Sequence, residues 1–370
     1  MRIIADQNIP FALEAFGTLG EVETMPGRQI AREHLAGADA LIVRSITRVD
    51  AALLEGTPVR FVGTCTIGED HVDKAWLAER GIGFASAPGC NANSVSEYVV
   101  AALLELDAIR PGASLGVVGF GHVGRKVAAK ARALGLRVVV NDPPLEAVTA
   151  EPIYRPLAEA LACDVVTLHV PFEKGGEYPT RHLANETFLA AMKPGGILIN
   201  TSRGGVADSS ALLTALGSCQ LRACVLDVWE GEPKLPRQLL ERAALATPHI
   251  AGYSFDGKVN GTEQIYRALC AHLKKPPTWD PAVGLPAPEV PEIYGDGATL
   301  RDIVRQVYDI RIDDAGIREA LALPDEEQPQ RFDQLRKEYR RRREWRHTTV
   351  RGVTDAGMRK LLEGLGFRLD

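Results

Sequence analysis

Six residues, Gly119-Phe-Gly121-His-Val-Gly124, stand between an apolar run, Leu115-Gly-Val-Val118, and a helical pattern from His122 to Leu134. Few folds accommodate that order. The first glycine permits a tight turn, the second lets the backbone approach a pyrophosphate, and the third lets the helix close on the strand. The helix N-terminus then offers free N–H groups and a partial positive charge to phosphates. A glycine pattern alone is weak, but the next apolar run, Arg137-Val-Val-Val140, leads into Asn141-Asp142, 18 residues beyond Gly124. That is where a ribose-binding acid is expected. Its carboxylate can accept the ribose hydroxyls and repels a 2′-phosphate, so NAD is favoured over NADP. Gly119, Gly121, His122, Val123, Gly124 and Asp142 are the expected cofactor contacts of this turn.

Short apolar runs alternate with helical patterns on both sides of the motif. Arg2-Ile-Ile-Ala5, Ala40-Leu-Ile-Val43 and Val59-Arg-Phe-Val62 read as strands, and His71 to Arg80 as a helix. Ser94-Val-Ser-Glu97 fits a capping box at the start of a longer helix that ends at Pro111-Gly112. Strands then recur at 115–118, 137–140, 165–168, 196–199 and 223–226, with helices at 122–134, 209–216 and 262–273. This is the pattern of an α/β protein with parallel sheets. Six prolines between Pro276 and Pro291 mark a boundary, because proline cannot continue a helix. Beyond it, Arg331 to Arg346 is dense in arginine and reads as a solvated helix face, with Arg340–Arg343 as a solvated rim.

Composition removes several function classes. A net charge of −5 argues against a nucleic-acid binder. No 18-residue apolar stretch is free of charge, so no membrane span is expected. Asp6 comes too early for a signal-peptide core. The six cysteines contain no C-x-x-C pair, which fits reduced thiols in the cytoplasm and gives no metal-site spacing.

Three segments follow later strands and carry the chemistry. They are Asn200-Thr-Ser-Arg203-Gly-Gly, Asp227-Val-Trp-Glu-Gly-Glu232-Pro and Thr247-Pro-His249-Ile-Ala-Gly252-Tyr253. Strand C-terminal ends border the ligand crevice of an open α/β sheet. Oxidising a secondary alcohol needs a base for the hydroxyl proton, and histidine suits that task. A carboxylate on its other nitrogen fixes the tautomer and stabilises the imidazolium. Arginine offers a planar fork to a substrate carboxylate. His249, Glu232 and Arg203 are the expected catalytic set. In the N-terminal part, the hydroxyls of Ser45 and Thr66 are candidate donors to a substrate phosphate, and Arg44 is a candidate cation beside them.

With these motifs the chain resembles the D-isomer-specific 2-hydroxy acid dehydrogenases over roughly residues 1–275. The resemblance implies catalysis by Arg203, Glu232 and His249, and NAD contacts from Asp142, Thr201, Ser202, Asp227 and Gly252. It implies a Rossmann-type NAD domain at 93–253 and a flavodoxin-like discontinuous substrate domain at 1–92 and 254–285. Within the family, Val43-Arg-Ser45-Ile-Thr47, Val62 to Gly68, Ala87-Pro-Gly-Cys-Asn91 and His249 to Ser254 are most like a branch whose substrate is a small phosphorylated 2-hydroxy acid. That likeness implies substrate contacts from Ser45, Thr66 and Tyr253. It also implies a small C-terminal α+β dimerisation domain at 286–370, hence a homodimer. There Leu300, Ile303, Val304, Val307 and Tyr308 share one helical face, expected to meet a partner subunit. Two other readings are the same chemistry on another 2-hydroxy acid, such as phosphoglycerate or glycerate, and a non-catalytic NAD-sensing interaction protein.

Overall fold

Strands that are apolar on both sides need cover on both sides. The computed structural model, which describes residues 1–149 and 151–370, contains two such sheets, each in its own unit. Residues 1–91 and 254–287 make the first unit; residues 92–253 and 288–370 make the second.

The first unit has five parallel strands: β1 (Arg2–Asp6), β2 (Glu21–Met25), β3 (Ala40–Val43), β4 (Phe61–Thr64) and β5 (Gly83–Ala85). Their order is β2-β1-β3-β4-β5, the flavodoxin-like arrangement. The returning helix Phe255–His272 lies so close to β4 that a Cβ on Gly63 would stand 2.3 Å from Ile265. Glycine is therefore the residue that lets the two distant pieces of chain share one core. That helix begins earlier than its apolar pattern suggests, because the Ser254 hydroxyl accepts the Gly257 N–H and caps it.

In the second unit the strands are β6 (Ser114–Val118), β7 (Arg137–Asn141), β8 (Val165–Leu168), β9 (Gly196–Asn200), β10 (Leu221–Leu226) and β11 (Leu245–Ala246). They run parallel in the order β11-β10-β9-β8-β6-β7. The order reverses between β6 and β8, so the crevice of this Rossmann-type sheet opens at their C-terminal ends. Three strands of these two sheets escape the sequence reading. Strands β2 and β5 are partly exposed and β11 has two residues, so none of them shows a sustained apolar run.

The helix Ala92–Glu105 starts two residues before the expected capping box, and the box does not form. Both of its residues are buried inside the helix and face other partners. The Ser94 hydroxyl donates to the Ala251 carbonyl at 2.8 Å, and Glu97 accepts the Trp345 N–H at 2.9 Å. Burial and the nearby Glu344 raise the Glu97 pKa, opposed by Arg342 and Lys130.

The C-terminal segment is α+β, with a three-stranded parallel sheet of β12 (Glu292–Tyr294), β13 (Thr349–Arg351) and β14 (Arg368–Leu369) in that order. Its expected partner-facing stripe is filled at home. Ile303, Val304 and Tyr308 are fully buried in one cluster with Tyr98, Val99 and Leu103 of the 92–105 helix. Each such aliphatic side chain contributes roughly 1.5–3 kcal/mol on burial. Trp345 stacks on Phe367 at 5.1 Å between ring centroids, with the Lys130 ammonium over its face. The arginine run is not a solvated rim. Arg342 and Arg343 are buried, Arg340 pairs with Asp313, and Arg342 reaches the Ala251 carbonyl at 3.0 Å. Among the described residues no helix is long and apolar enough to cross a membrane.

Candidate active site

Three loops follow the C-terminal ends of β9, β10 and β11, and buried bonds tie them together. The Asp227 N–H donates to the Asn200 carbonyl at 3.1 Å, joining the first loop to the second. A Cβ on Gly204 would lie 2.0 Å from the Trp229 carbonyl oxygen, so only glycine can follow Arg203 here. The Trp229 indole N–H donates to the Thr247 carbonyl at 2.9 Å, joining the second loop to the third.

Asp227 fixes the third loop. One of its carboxylate oxygens accepts the Thr247 hydroxyl and the Ile250 N–H, both at 2.7 Å, and the other accepts the Ala251 N–H at 3.0 Å. The group is buried, and burial raises its pKa against the opposing effects of His249 and these donors. His249 sits between those contacts. Its φ of 57° is a left-handed conformation, and its N–H donates to the Asp227 carbonyl at 2.7 Å. A non-glycine residue held there carries backbone strain of about 1–3 kcal/mol.

The strained loop aims the His249 ring at Glu232. Nδ1 of His249 lies 2.5 Å from one Glu232 oxygen, while the other oxygen accepts the Trp229 N–H at 3.1 Å. Burial alone would raise the Glu232 pKa, but the His249 charge and hydrogen bond, the Trp229 N–H and the Arg336 charge together hold it below the usual value. A carboxylate with a lowered folded-state pKa adds stability that is present above its unfolded pKa. That stability is lost as pH falls through the folded value. Arg203, at the head of the first loop, is half-buried and donates to the Ser202 carbonyl at 2.8 Å.

At the glycine turn, Gly119 has φ 91°, and a Cβ there would lie 2.6 Å from the His169 carbonyl carbon. On Gly124 a Cβ would strike the Gly119 carbonyl oxygen at 2.1 Å, whereas one on Gly121 would meet open space. No side chain caps the helix that begins at His122, so the N–H groups of its first turn, including those of His122 and Val123, lack an intrahelical acceptor. An open backbone face with such donors fits the pyrophosphate of NAD. Asp142 lies at the end of β7 and braces the turn by accepting the Phe120 N–H at 2.6 Å. Ser202 commits its hydroxyl to Asn200 at 2.8 Å, and Thr201 meets Nδ1 of His169 at 3.3 Å. Gly252 and Tyr253 close the third loop.

Two neighbours go unnoticed in the sequence. His169, whose pKa burial lowers to about 3, stays neutral and orders Thr201. Its position just past β8 is the only signal. Arg336, from the helix Gln328–Lys337, places its guanidinium 5.4 Å from the centroid of the Tyr253 ring. Nothing in the arginine-rich stretch distinguishes it from its solvated neighbours.

In the first unit, Ser45 is exposed in the turn after β3. The Thr66 hydroxyl lies 2.8 Å from that of Thr64 and donates to the Gly68 carbonyl at 3.2 Å. Arg44 grips the buried Asp6 through two bonds of 2.9 and 3.3 Å, so its charge is already balanced. The sequence reading offered it to a substrate anion.

The NAD-binding domain model of the D-isomer specific 2-hydroxyacid dehydrogenases matches residues 107–251. A second model, described as a domain of unknown function (DUF3410), matches residues 285–366. Proteins named erythronate-4-phosphate dehydrogenase, from Salmonella arizonae and Escherichia fergusonii, are each 47% identical over 99% of this chain and 98% of their own. Among solved structures, D-lactate dehydrogenase from Aquifex aeolicus with NAD and lactic acid is 25% identical, with a TM-score of 0.61. A glyoxylate reductase from Paecilomyes thermophila is 26% identical, with a TM-score of 0.62. Both cover 74% of this chain and 96% of their own.

The bonds at Asp227 lead to a specific expectation. Asp227→Asn keeps the size but leaves a single acceptor oxygen for three donors. An unpaired buried N–H costs about 1–3 kcal/mol. Unfolding in urea should show that loss, and turnover should fall further than stability alone explains, because the loop carries His249. A variant with wild-type stability and turnover would show that the carboxylate does not hold the loop.

Proposed function

The chain belongs to the D-isomer specific 2-hydroxyacid dehydrogenase family and is an NAD-dependent dehydrogenase, and on that premise we propose that it oxidises the C2 hydroxyl of 4-phospho-D-erythronate. The product is 3-hydroxy-2-oxo-4-phosphooxybutanoate, and the step belongs to pyridoxal 5′-phosphate biosynthesis. The observation that carries this is the 47% identity to erythronate-4-phosphate dehydrogenases along essentially the whole chain, C-terminal segment included.

The chain's own residues divide the work as follows. With Nδ1–H of His249 donating to Glu232, Nε2 presents a lone pair and takes the C2 hydroxyl proton. Glu232 stabilises the resulting imidazolium and keeps the ring oriented. Arg203 binds the substrate carboxylate and polarises the C2 oxygen. NAD, when bound, supplies the hydride acceptor. Gly119, Gly121, His122, Val123 and Gly124 would hold its pyrophosphate, Asp142 would accept the ribose hydroxyls, and Thr201, Ser202, Asp227 and Gly252 would contact the cofactor as well. Ser45, Thr66 and Tyr253 bind the substrate. Residues 1–92 and 254–285 serve as the substrate domain, 93–253 as the NAD domain and 286–370 as a dimerisation domain. All six cysteines are free, which supports a reducing, cytoplasmic setting.

The deciding assay follows NADH formation with a panel of 2-hydroxy acids: 4-phosphoerythronate, phosphoglycerate, glycerate and lactate. The phosphorylated four-carbon acid should have the highest kcat/KM, and His249→Asn should lower its turnover about 10²–10⁴-fold. Preference for another acid would replace the substrate, and no NADH with any of them would point to an NAD-sensing role.

The Glu232 pair predicts a pH effect. Alcohol oxidation requires the neutral base, so the rate rises with pH. Glu232→Gln removes the charge that favours the imidazolium, and the rise should shift to lower pH. An unshifted profile, taken where chemistry limits the rate, would mean that the pair does not set the protonation of the base.

The homodimer rests on the open side of the C-terminal segment, because its inner face is filled. Tyr294, on the edge strand β12, is 70% exposed. Cutting the chain near Pro288 would strip Ile303, Val304 and Tyr308 from the 92–105 helix, so a point change is the cleaner test. Tyr294→Glu should convert a dimer to a monomer in light scattering with little change in melting temperature. A variant that remains dimeric would place the interface elsewhere.

A further inference from the structure

A phosphorylated hydroxy acid carries two anionic ends, and the three catalytic loops offer one cation, Arg203. Arg44, the other candidate, is bound to Asp6. Lactic acid, bound in one of the two solved structures above, has a single anionic end, and both structures match 74% of this chain while using 96% of their own. The share without a counterpart is about the size of the segment at 285–366, whose family is described only as a domain of unknown function.

Several side chains of that segment meet the 247–253 loop, Arg342 at the Ala251 carbonyl and Tyr339 at the Tyr253 ring among them, and Arg336 is the one that also interacts with Glu232. The Arg336 guanidinium lies 5.4 Å from the centroid of the Tyr253 ring and 5.6 Å from that of Phe332, its own helix neighbour. It hydrogen-bonds the Tyr253 side chain and is close enough to Glu232 for the charges to interact. Its Nε is buried without a hydrogen-bond partner. Tyr253 is in turn fixed edge-on against Tyr339, 5.9 Å away, so the phenol and the guanidinium are held as a pair. A stacked arginine with an unused N–H, beside a phenol and one loop from the His249–Glu232 pair, has the donor geometry that oxyanions of phosphate require.

We propose that Arg336, with Tyr253, binds the phosphate of the substrate, so that the C-terminal segment supplies the residue that selects a phosphorylated acid over a plain one. The inference rests on the reading of the substrate as 4-phosphoerythronate. Binding energy from this remote group would orient C2 toward His249, and an unphosphorylated acid would not gain it.

The test uses the full-length protein as wild type, Arg336→Gln and Arg336→Lys, with 4-phosphoerythronate and erythronate as substrates. Inorganic phosphate serves as a competing anion. For Arg336→Gln, KM for the phosphorylated acid should rise about 10–10²-fold, the range for charged hydrogen bonds. Inhibition by phosphate should weaken by a similar factor, the loss in kcat/KM for erythronate should be clearly smaller than that for the phosphorylated acid, and Arg336→Lys should recover part of the loss. NADH affinity and melting temperature report whether each variant is folded. Equal losses on the two acids, or unchanged phosphate inhibition, would overturn the assignment and leave a structural role. Wild type that oxidises erythronate but not its phosphate ester would overturn the substrate reading itself, and the role of Arg336 with it.

Discussion

Everything at the catalytic end of the second sheet hangs on one buried carboxylate. Asp227 receives one hydroxyl and two backbone N–H groups from the loop at 247–251 and is covalently part of the loop that carries Glu232. The distance between His249 and Glu232 is therefore set by main-chain bonds rather than by the pair itself. An exposed histidine–carboxylate pair would hold its partners weakly. Here the strained His249 backbone is fixed from behind, and the ring meets Glu232 from that fixed position. Arg203 enters the same construction through Gly204, whose missing side chain lets the first loop rest on the second.

The two sheets differ in how they use glycine and the third segment of chain. In the first unit, Gly63 admits a helix that returns after more than 160 residues of intervening sequence. In the second, the C-terminal segment completes a core that the nucleotide-binding pattern by itself does not announce. Tyr98, on the 92–105 helix, is in contact with both arrangements of that unit. Its hydroxyl meets Thr247 at 2.7 Å, and its ring lies against Tyr308. The loop that bears His249 and the C-terminal helices thus rest on the same side chain.

What could be read in advance follows from where the information lies. Strands β3, β6, β8 and β9 are buried along their whole length, and β7 and β10 over their C-terminal residues, so their apolar runs stand out and their type is plain. Strands β2, β5 and β11 are short or half-exposed, and the alternation that would mark them is absent. The catalytic motifs were legible because each chemical role demands one residue type at a strand end. Ser94 and Glu97 misled because a capping box and a pair of buried polar anchors have the same spelling, and only the distant Ala251 and Trp345 decide between them. Arg336 and Arg342 were hidden for a similar reason. A basic run looks solvated until aromatic rings and carbonyls from elsewhere in the chain enclose it.

The shared core has a consequence for how the chain comes into being. The helix at 92–105 finds its cover in residues 303–308, and Lys130 finds its acceptor at the Leu365 carbonyl, 235 residues later. Those contacts cannot close until the ribosome has released residues 303–308 and Leu365, long after the 92–105 helix and Lys130 have emerged. Until then the nascent nucleotide-binding half exposes Tyr98, Val99 and Leu103 to whatever is nearby, in a chain whose parallel strands already pair over long separations and fold slowly. Residues 288–370 therefore act late in synthesis and early in function. They end the period of vulnerability to aggregation at the moment they bring the final side chains into place.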